Sequence, residues 1–148
     1  MPNPSASPLL IHKFWESVPP AWRQTRSQIH RNAVEKFQMT EEQFQVLRRI
    51  RNGSVSVSAL AEASQTSRSA VSKAVDSLVC RGLVTRSQNP HDRRNLPLAL
   101  TDEGSRVMDL IYGEAEAWLS ARFARLTAEE TASLLQGLEI LRIAFLNP

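Results

Sequence analysis

The chain has 148 residues, a formal net charge of +3 and a hydrophobic fraction of 42%. That is room for one domain with helical extensions, and it excludes two independent cores or a disordered chain. No apolar run nears the ~18 residues of a bilayer span, so no membrane partner is expected. The start, MPNPSASPLLIHKFW, lacks the pattern of a secretory leader. The single cysteine, Cys80, excludes an intrachain disulfide and a cysteine-rich zinc site. A cytoplasmic protein is the expectation.

Taken in chain order, residues 9–17 (LLIHKFWES) form a short apolar helix that Pro19-Pro20 should close. Pro20 then suits the first turn of a second helix, in which Trp22, Ile29, Ala33 and Phe37 make one apolar stripe. Thr40-Glu41-Glu42-Gln43 is a capping box; the helix it opens buries Phe44, Val46, Leu47 and Ile50 and stops at Asn52-Gly53. Ser56 caps a helix of about two turns through Ala63 that turns Leu60 and Ala61 inward. After a turn at Ser64-Gln65-Thr66, Ser67 caps a helix reaching Arg81, before Gly82. Its apolar face is Val71, Ala74, Val75, Leu78 and Val79; its other face carries Arg68, Ser69, Ser72, Lys73 and Asp76.

The period then changes to two. Leu83-Val84-Thr85-Arg86 reads as a strand, Gln88 to Asp92 as a tip, and Leu96, Leu98 and Leu100 as a returning strand with an edge at Pro97. Thr101-Asp102-Glu103 opens a long helix to about Arg125 with Val107, Leu110, Ile111, Trp118 and Leu119 apolar, and Thr127 to Glu130 caps a last one with Leu134, Leu138, Leu141 and Phe145 in a row. The last helix is apolar nearly all round, and the first carries Leu9, Leu10, Ile11, Phe14 and Trp15 within seven residues. Patches of that kind mark an interface, so a homodimer built from both chain ends is expected.

Helix, turn, helix with a polar outer face, and basic hairpin make a mainly α winged helix-turn-helix, flanked by N- and C-terminal dimerisation helices. The boundaries expected are 1–38 and 102–148 for dimerisation and 39–101 for DNA binding. Charge agrees: residues 67–95 carry six basic and two acidic groups, whereas residues 96–148 carry four basic and eight acidic ones. A polyanion-binding surface needs such a concentration. A helix fits the major groove of a double-stranded operator. Ser67, Arg68, Ser69, Ser72 and Lys73 are the candidate contacts, Arg68 suiting a guanine edge and the free N–H groups beside Ser67 a phosphate. Arg93 and Arg94 at the hairpin tip suit a narrow minor groove, with Asp92 holding the Arg94 guanidinium in place.

Residues 40–104 resemble the MarR-type winged-helix transcriptional regulators. The likeness rests on TEEQFQVLRRI, on SVSALAEASQTSRSAVSKAVDSLVCRGLV and on NPHDRRNLPLALTDEG, including Leu60-Ala61, Arg81-Gly82-Leu83-Val84, Asp92-x-Arg94 and Leu100-Thr101-x-x-Gly104. The resemblance implies a triangular homodimer on pseudo-palindromic DNA with Arg94 in the minor groove. It also implies a repressor released by a small, often aromatic, effector held between the dimerisation and DNA-binding parts. Trp15, His30 and Phe44 are the candidates for lining that cavity. Redox-sensing members use a cysteine near the N-terminus, and none precedes Cys80 here; Cys80 is expected to be a small filler at the end of the reading helix. The helix at 9–17 has no match in the family pattern.

An enzyme is not expected: the chain has no Gly-rich phosphate loop and no Gly-x-Ser-x-Gly elbow. His12, His30 and His91 stand apart, without metal-ligand spacing, so neither metal nor cofactor is expected. The alternative to a DNA-binding regulator is a dimeric winged-helix protein that acts through protein–protein contacts without reading DNA.

Overall fold

A computed structural model describes residues 7–53, 56–86 and 97–146. It contains α1 (Pro8–Phe37), α2 (Glu41–Arg51), α3 (Val57–Ser64), α4 (Arg68–Cys80), β1 (Val84–Arg86), β2 (Leu98–Leu100), α5 (Asp102–Phe123) and α6 (Ala128–Leu146). The first two expected helices are one. Pro19 and Pro20 lie inside α1, where they deprive the Trp15 and Glu16 carbonyls of their helical donors. Proline's fixed φ near −65° is nevertheless a helical value, and two in succession keep the chain at helical pitch. Weighing only the lost donors puts a break where there is none. α1 ends at Gln38 in the left-handed region, whose N–H bonds the Val34 carbonyl.

The capping residues read from the sequence perform as such. Thr40 accepts from the Gln43 N–H while the Gln43 side chain accepts from the Thr40 N–H. Ser56, Ser67 and Thr101 each accept from the backbone N–H three residues on. Thr127 and Glu130 bond reciprocally. Each bond satisfies a donor that a helix N-terminus otherwise leaves unpaired.

The core lies where α2, α3, α4 and the hairpin meet the start of α5. Leu47, Leu60, Leu78, Val71, Val75, Met108 and Ile111 are among its fully buried members. β1 and β2 pair antiparallel, Val84 opposite Leu100 and Arg86 opposite Leu98. Gly82, at φ +71, ends α4 in the left-handed conformation, and the Leu83 N–H bonds the Leu78 carbonyl. The α5 N-terminus is docked on that junction: the Thr101 N–H donates to the Leu83 carbonyl at 3.1 Å and its hydroxyl to the Gly82 carbonyl at 2.6 Å. Gly104 is the residue that lets the two backbones meet, since a Cβ there would stand 2.0 Å from the Leu83 oxygen.

The C-terminal half of α1 packs on α5. Buried Asn32 donates to the Ile111 carbonyl at 3.2 Å, and Lys36 pairs with Glu114. Four further expectations need correction. Cys80 is exposed, because it falls on the solvent side as α4 ends, and is not a core filler. Val79 and Leu110 are partly exposed beside inward neighbours, each one position off its helix's buried arc. Trp22 is 59% exposed and does not join the stripe of Ile29, Ala33 and Phe37; seven residues before Ile29 it lies beyond the part of α1 that the core covers. Leu96 and the hairpin tip lie outside the described residues.

Candidate nucleic-acid interface and effector cleft

α4 divides cleanly into two faces. Val71, Ala74, Val75 and Leu78 are buried against the core. Arg68, Ser69 and Lys73 are exposed and Ser72 is half-buried, so the four candidate side chains beyond the cap form one patch over its first two turns. Ser67 accepts from the Ala70 N–H at 3.2 Å, which fixes where the helix starts.

The charges around this patch are more committed than the sequence suggests. Arg68 donates to the Ser58 hydroxyl on α3, which steers its guanidinium toward the preceding helix. Arg86 on β1 pairs with Asp76 at 2.6 Å, tying the hairpin base to the reading helix. That pairing offsets the one carboxylate on the polar face of α4. Arg81 donates to the Phe37 carbonyl at 2.5 Å and so joins the ends of α4 and α1. Of the basic groups in this stretch, Arg81 and Arg86 are therefore structural. Lys73 forms no salt bridge among the described residues. Asp92, Arg93 and Arg94 lie outside the described residues.

A cleft of about 360 Å³ opens between α1 and α2, lined on α1 by Trp22, Arg26 and His30 and on α2 by Glu41 and Phe44. The His30 Nδ1 stands 2.5 Å from a Glu41 carboxylate oxygen, an ion-pair contact across the two helices when the imidazole is protonated. His30 and Phe44 are thus brought to one site and Trp15 is not. Trp15 lines an apolar groove of about 560 Å³ with Phe14, Ile140 and Phe145, in which the Phe14 and Phe145 rings stack at 5.7 Å. Sequence reasoning missed Arg26 and Glu41 as cleft residues. The signal is the spacing 22-26-30, which already falls on one line of the helix expected from Pro20 onward.

Among the described residues no group of three or more His, Cys, Asp or Glu side chains could hold a metal ion. No helix there is long and apolar enough to cross a membrane.

Known proteins resemble the chain in both sequence and shape. The MarR family model matches residues 39–96. The HTH-type transcriptional repressor MdtR of Bacillus subtilis (strain 168) is 34% identical over 115 residues, covering 72% of this chain and 74% of that protein. Transcriptional regulator Tm0710 from Thermotoga maritima has a similar fold, with a TM-score of 0.80 and 23% identity over 88% of this chain and 92% of its own. A MepR mutant from S. aureus bound to oligodeoxyribonucleotide matches with a TM-score of 0.64 and 18% identity, covering 86% of this chain and 97% of its own.

Proposed function

From the premise that the chain belongs to the MarR family and is a DNA-binding transcriptional regulator, we propose that it is a homodimeric repressor of pseudo-palindromic operators, released by a small effector. Residues 1–38 and 102–148 supply the dimerisation helices and residues 39–101 the winged helix-turn-helix. The observation that carries this is the division of α4: an inner face of Val71, Ala74, Val75 and Leu78 packed on the core, and an outer face whose first two turns carry Arg68, Ser69, Ser72 and Lys73 with no large apolar residue among them. Two-fold symmetry places the two α4 helices in successive major grooves about 34 Å apart. Ser67 and the free N–H groups of the first turn of α4 take a phosphate, Arg93 and Arg94 meet the minor groove, and Asp92 orients Arg94.

The dimer is supported by what the single chain leaves uncovered. α6 has no buried residue, and Leu9, Leu10, Trp15, Leu135, Ile140, Phe145 and Leu146 are each at least 59% exposed. The effector is supported by the α1–α2 cleft. It joins a dimerisation helix to the DNA-binding part, and it offers an indole, a buried phenyl ring, a guanidinium and the His30–Glu41 pair to a small aromatic molecule. An effector wedged against His30 and Phe44 would alter the angle between α1 and α2, and with it the spacing of the two α4 helices.

The test is selection of DNA from a random pool by the purified protein, followed by titration of the selected duplex against salt. A two-fold symmetric consensus with affinity falling steeply as salt rises is expected. No enriched sequence and a flat salt dependence would favour the protein-binding alternative.

A further inference from the structure

A second cleft, adjoining the first through Arg23 and Ser27, has a composition that the DNA-binding reading does not use. It lies between α1 and α5, has a volume of about 420 Å³, and is lined by Arg23, Gln24, Gln28 and Arg31 on α1 and by Trp118 and Arg122 on α5. No carboxylate among the described residues lines it. Among the described residues none of its three arginines forms a salt bridge, whereas Arg51, Arg86, Arg106 and Arg142 each have an acidic partner. Three arginines lining one cleft without an acidic partner there give it a positive potential that a bound anion would offset.

The cleft walls are also set in place. The Arg122 guanidinium lies 3.8 Å from the centre of the Trp118 ring, a cation–π contact that fixes its position. The Gln28 amide donates to Asn32 Oδ1 at 3.1 Å, and Asn32 in turn donates to the Ile111 carbonyl, so one wall is tied through a buried side chain to α5. A guanidinium presents a fork of N–H donors that matches a carboxylate or phosphate edge. Three forks exceed what one such group can satisfy.

We propose that the α1–α5 cleft binds a small oligoanion carrying two or more carboxylate or phosphate groups, held by Arg23, Arg31 and Arg122. The volume lies within the ~300–1,000 Å³ range of small-molecule sites. Duplex DNA is not the occupant, because the cleft is built from α1 and α5 while the reading face is built from α4. The site stands apart from the operator reading, since its occupancy is measured without DNA.

The experiment is calorimetric titration of the full chain with citrate and, separately, with pyrophosphate, at ionic strength held constant with sodium chloride. Saturable binding of one anion per chain by either probe is expected; citrate alone would identify a polycarboxylate, pyrophosphate alone a polyphosphate. The double variant Arg31→Gln/Arg122→Gln should weaken binding about tenfold or more. Arg122→Lys, which keeps the charge and loses the fork, should fall between the two. Arg106→Gln, on α5 but outside the cleft and paired with Glu103, should bind as the unsubstituted protein does, and unchanged circular dichroism shows that each variant is folded. Non-saturable heats with both probes, or equal binding by the double variant, would overturn the proposal. So would a double variant whose only defect is a weaker dimer in sedimentation, since the arginines would then serve a carboxylate of a second copy.

Discussion

Replacing Gly104 by alanine tests how α5 is fastened to the DNA-binding part, and local propensity and tertiary packing predict opposite signs for it. In a helix interior, Gly→Ala gains about 0.5–1 kcal/mol. Here the new Cβ would stand 2.0 Å from the Leu83 carbonyl oxygen and 3.0 Å from its carbon, and both are backbone atoms that cannot rotate aside. Relief needs a displacement of more than about 1 Å, a form of overpacking that costs ~1–3 kcal/mol or more. The same shift stretches the bonds that Thr101 donates to the Leu83 and Gly82 carbonyls and the cap that Thr101 offers the Gly104 N–H at 2.9 Å, adding ~1 kcal/mol. The net expectation is a loss of about 2–3 kcal/mol, which for a chain of this length lowers the melting temperature by roughly 5–10 °C. Thermal unfolding followed by circular dichroism at a fixed protein concentration reads it. Gly113, in the same helix with nothing within 4 Å of a built Cβ, is the control, and Gly113→Ala should be stabilising by about 0.5–1 kcal/mol. A Gly104→Ala protein as stable as the Gly113→Ala protein would refute the docking of α5 on Leu83.

Three further outcomes follow from the same structure. Ile140→Asp puts a charge into the apolar groove shared with Phe14, Trp15 and Phe145; sedimentation should show the dimer dissociating at concentrations where the unsubstituted chain remains paired. Lys73→Ala should weaken binding to specific and random DNA alike and reduce the slope of log affinity against log salt by about 1. Glu130 accepts from the Thr127 N–H at 2.8 Å, and this bond, with that of the Thr127 side chain, holds its carboxyl below the usual glutamate range. A depressed folded pKa stabilises α6 above the unfolded value and ceases to do so as pH falls through the folded value. Acid titration of the helical signal should therefore show a decline that is smaller in Glu130→Gln, which can still accept but does not titrate.

Much of this architecture is legible in the chain because it is written in local signals. Thr40, Ser56, Ser67, Thr101 and Thr127 announce helix starts through hydroxyls three residues before a backbone donor, and each does cap one. The apolar spacing of Val71, Ala74, Val75 and Leu78 picks out the inner face of α4 because burial follows helical period. What escaped is what depends on distant partners or on opposed local terms. Pro19-Pro20 removes two donors yet imposes helical φ, and only the fold decides which prevails. The pairing of Asp76 with Arg86 and of Arg81 with the Phe37 carbonyl joins elements that no periodicity connects. Counting basic residues therefore overstates the charge free to meet phosphate. For the site, the patch on α4 could be read from one helix alone, whereas the α1–α2 cleft needs two helices packed together before Arg26 and His30 face Glu41 and Phe44.

The measurement closest to the central claim is the sequence preference of Arg68→Ala, determined by selection from a random pool beside the unsubstituted protein. If the outer face of α4 reads bases, discrimination should be lost at one symmetric pair of operator positions, by ~1–3 kcal/mol at each, while the rest of the consensus survives. A variant that returns the same consensus, with affinity lowered evenly over every position, would show that this helix touches only the phosphate backbone.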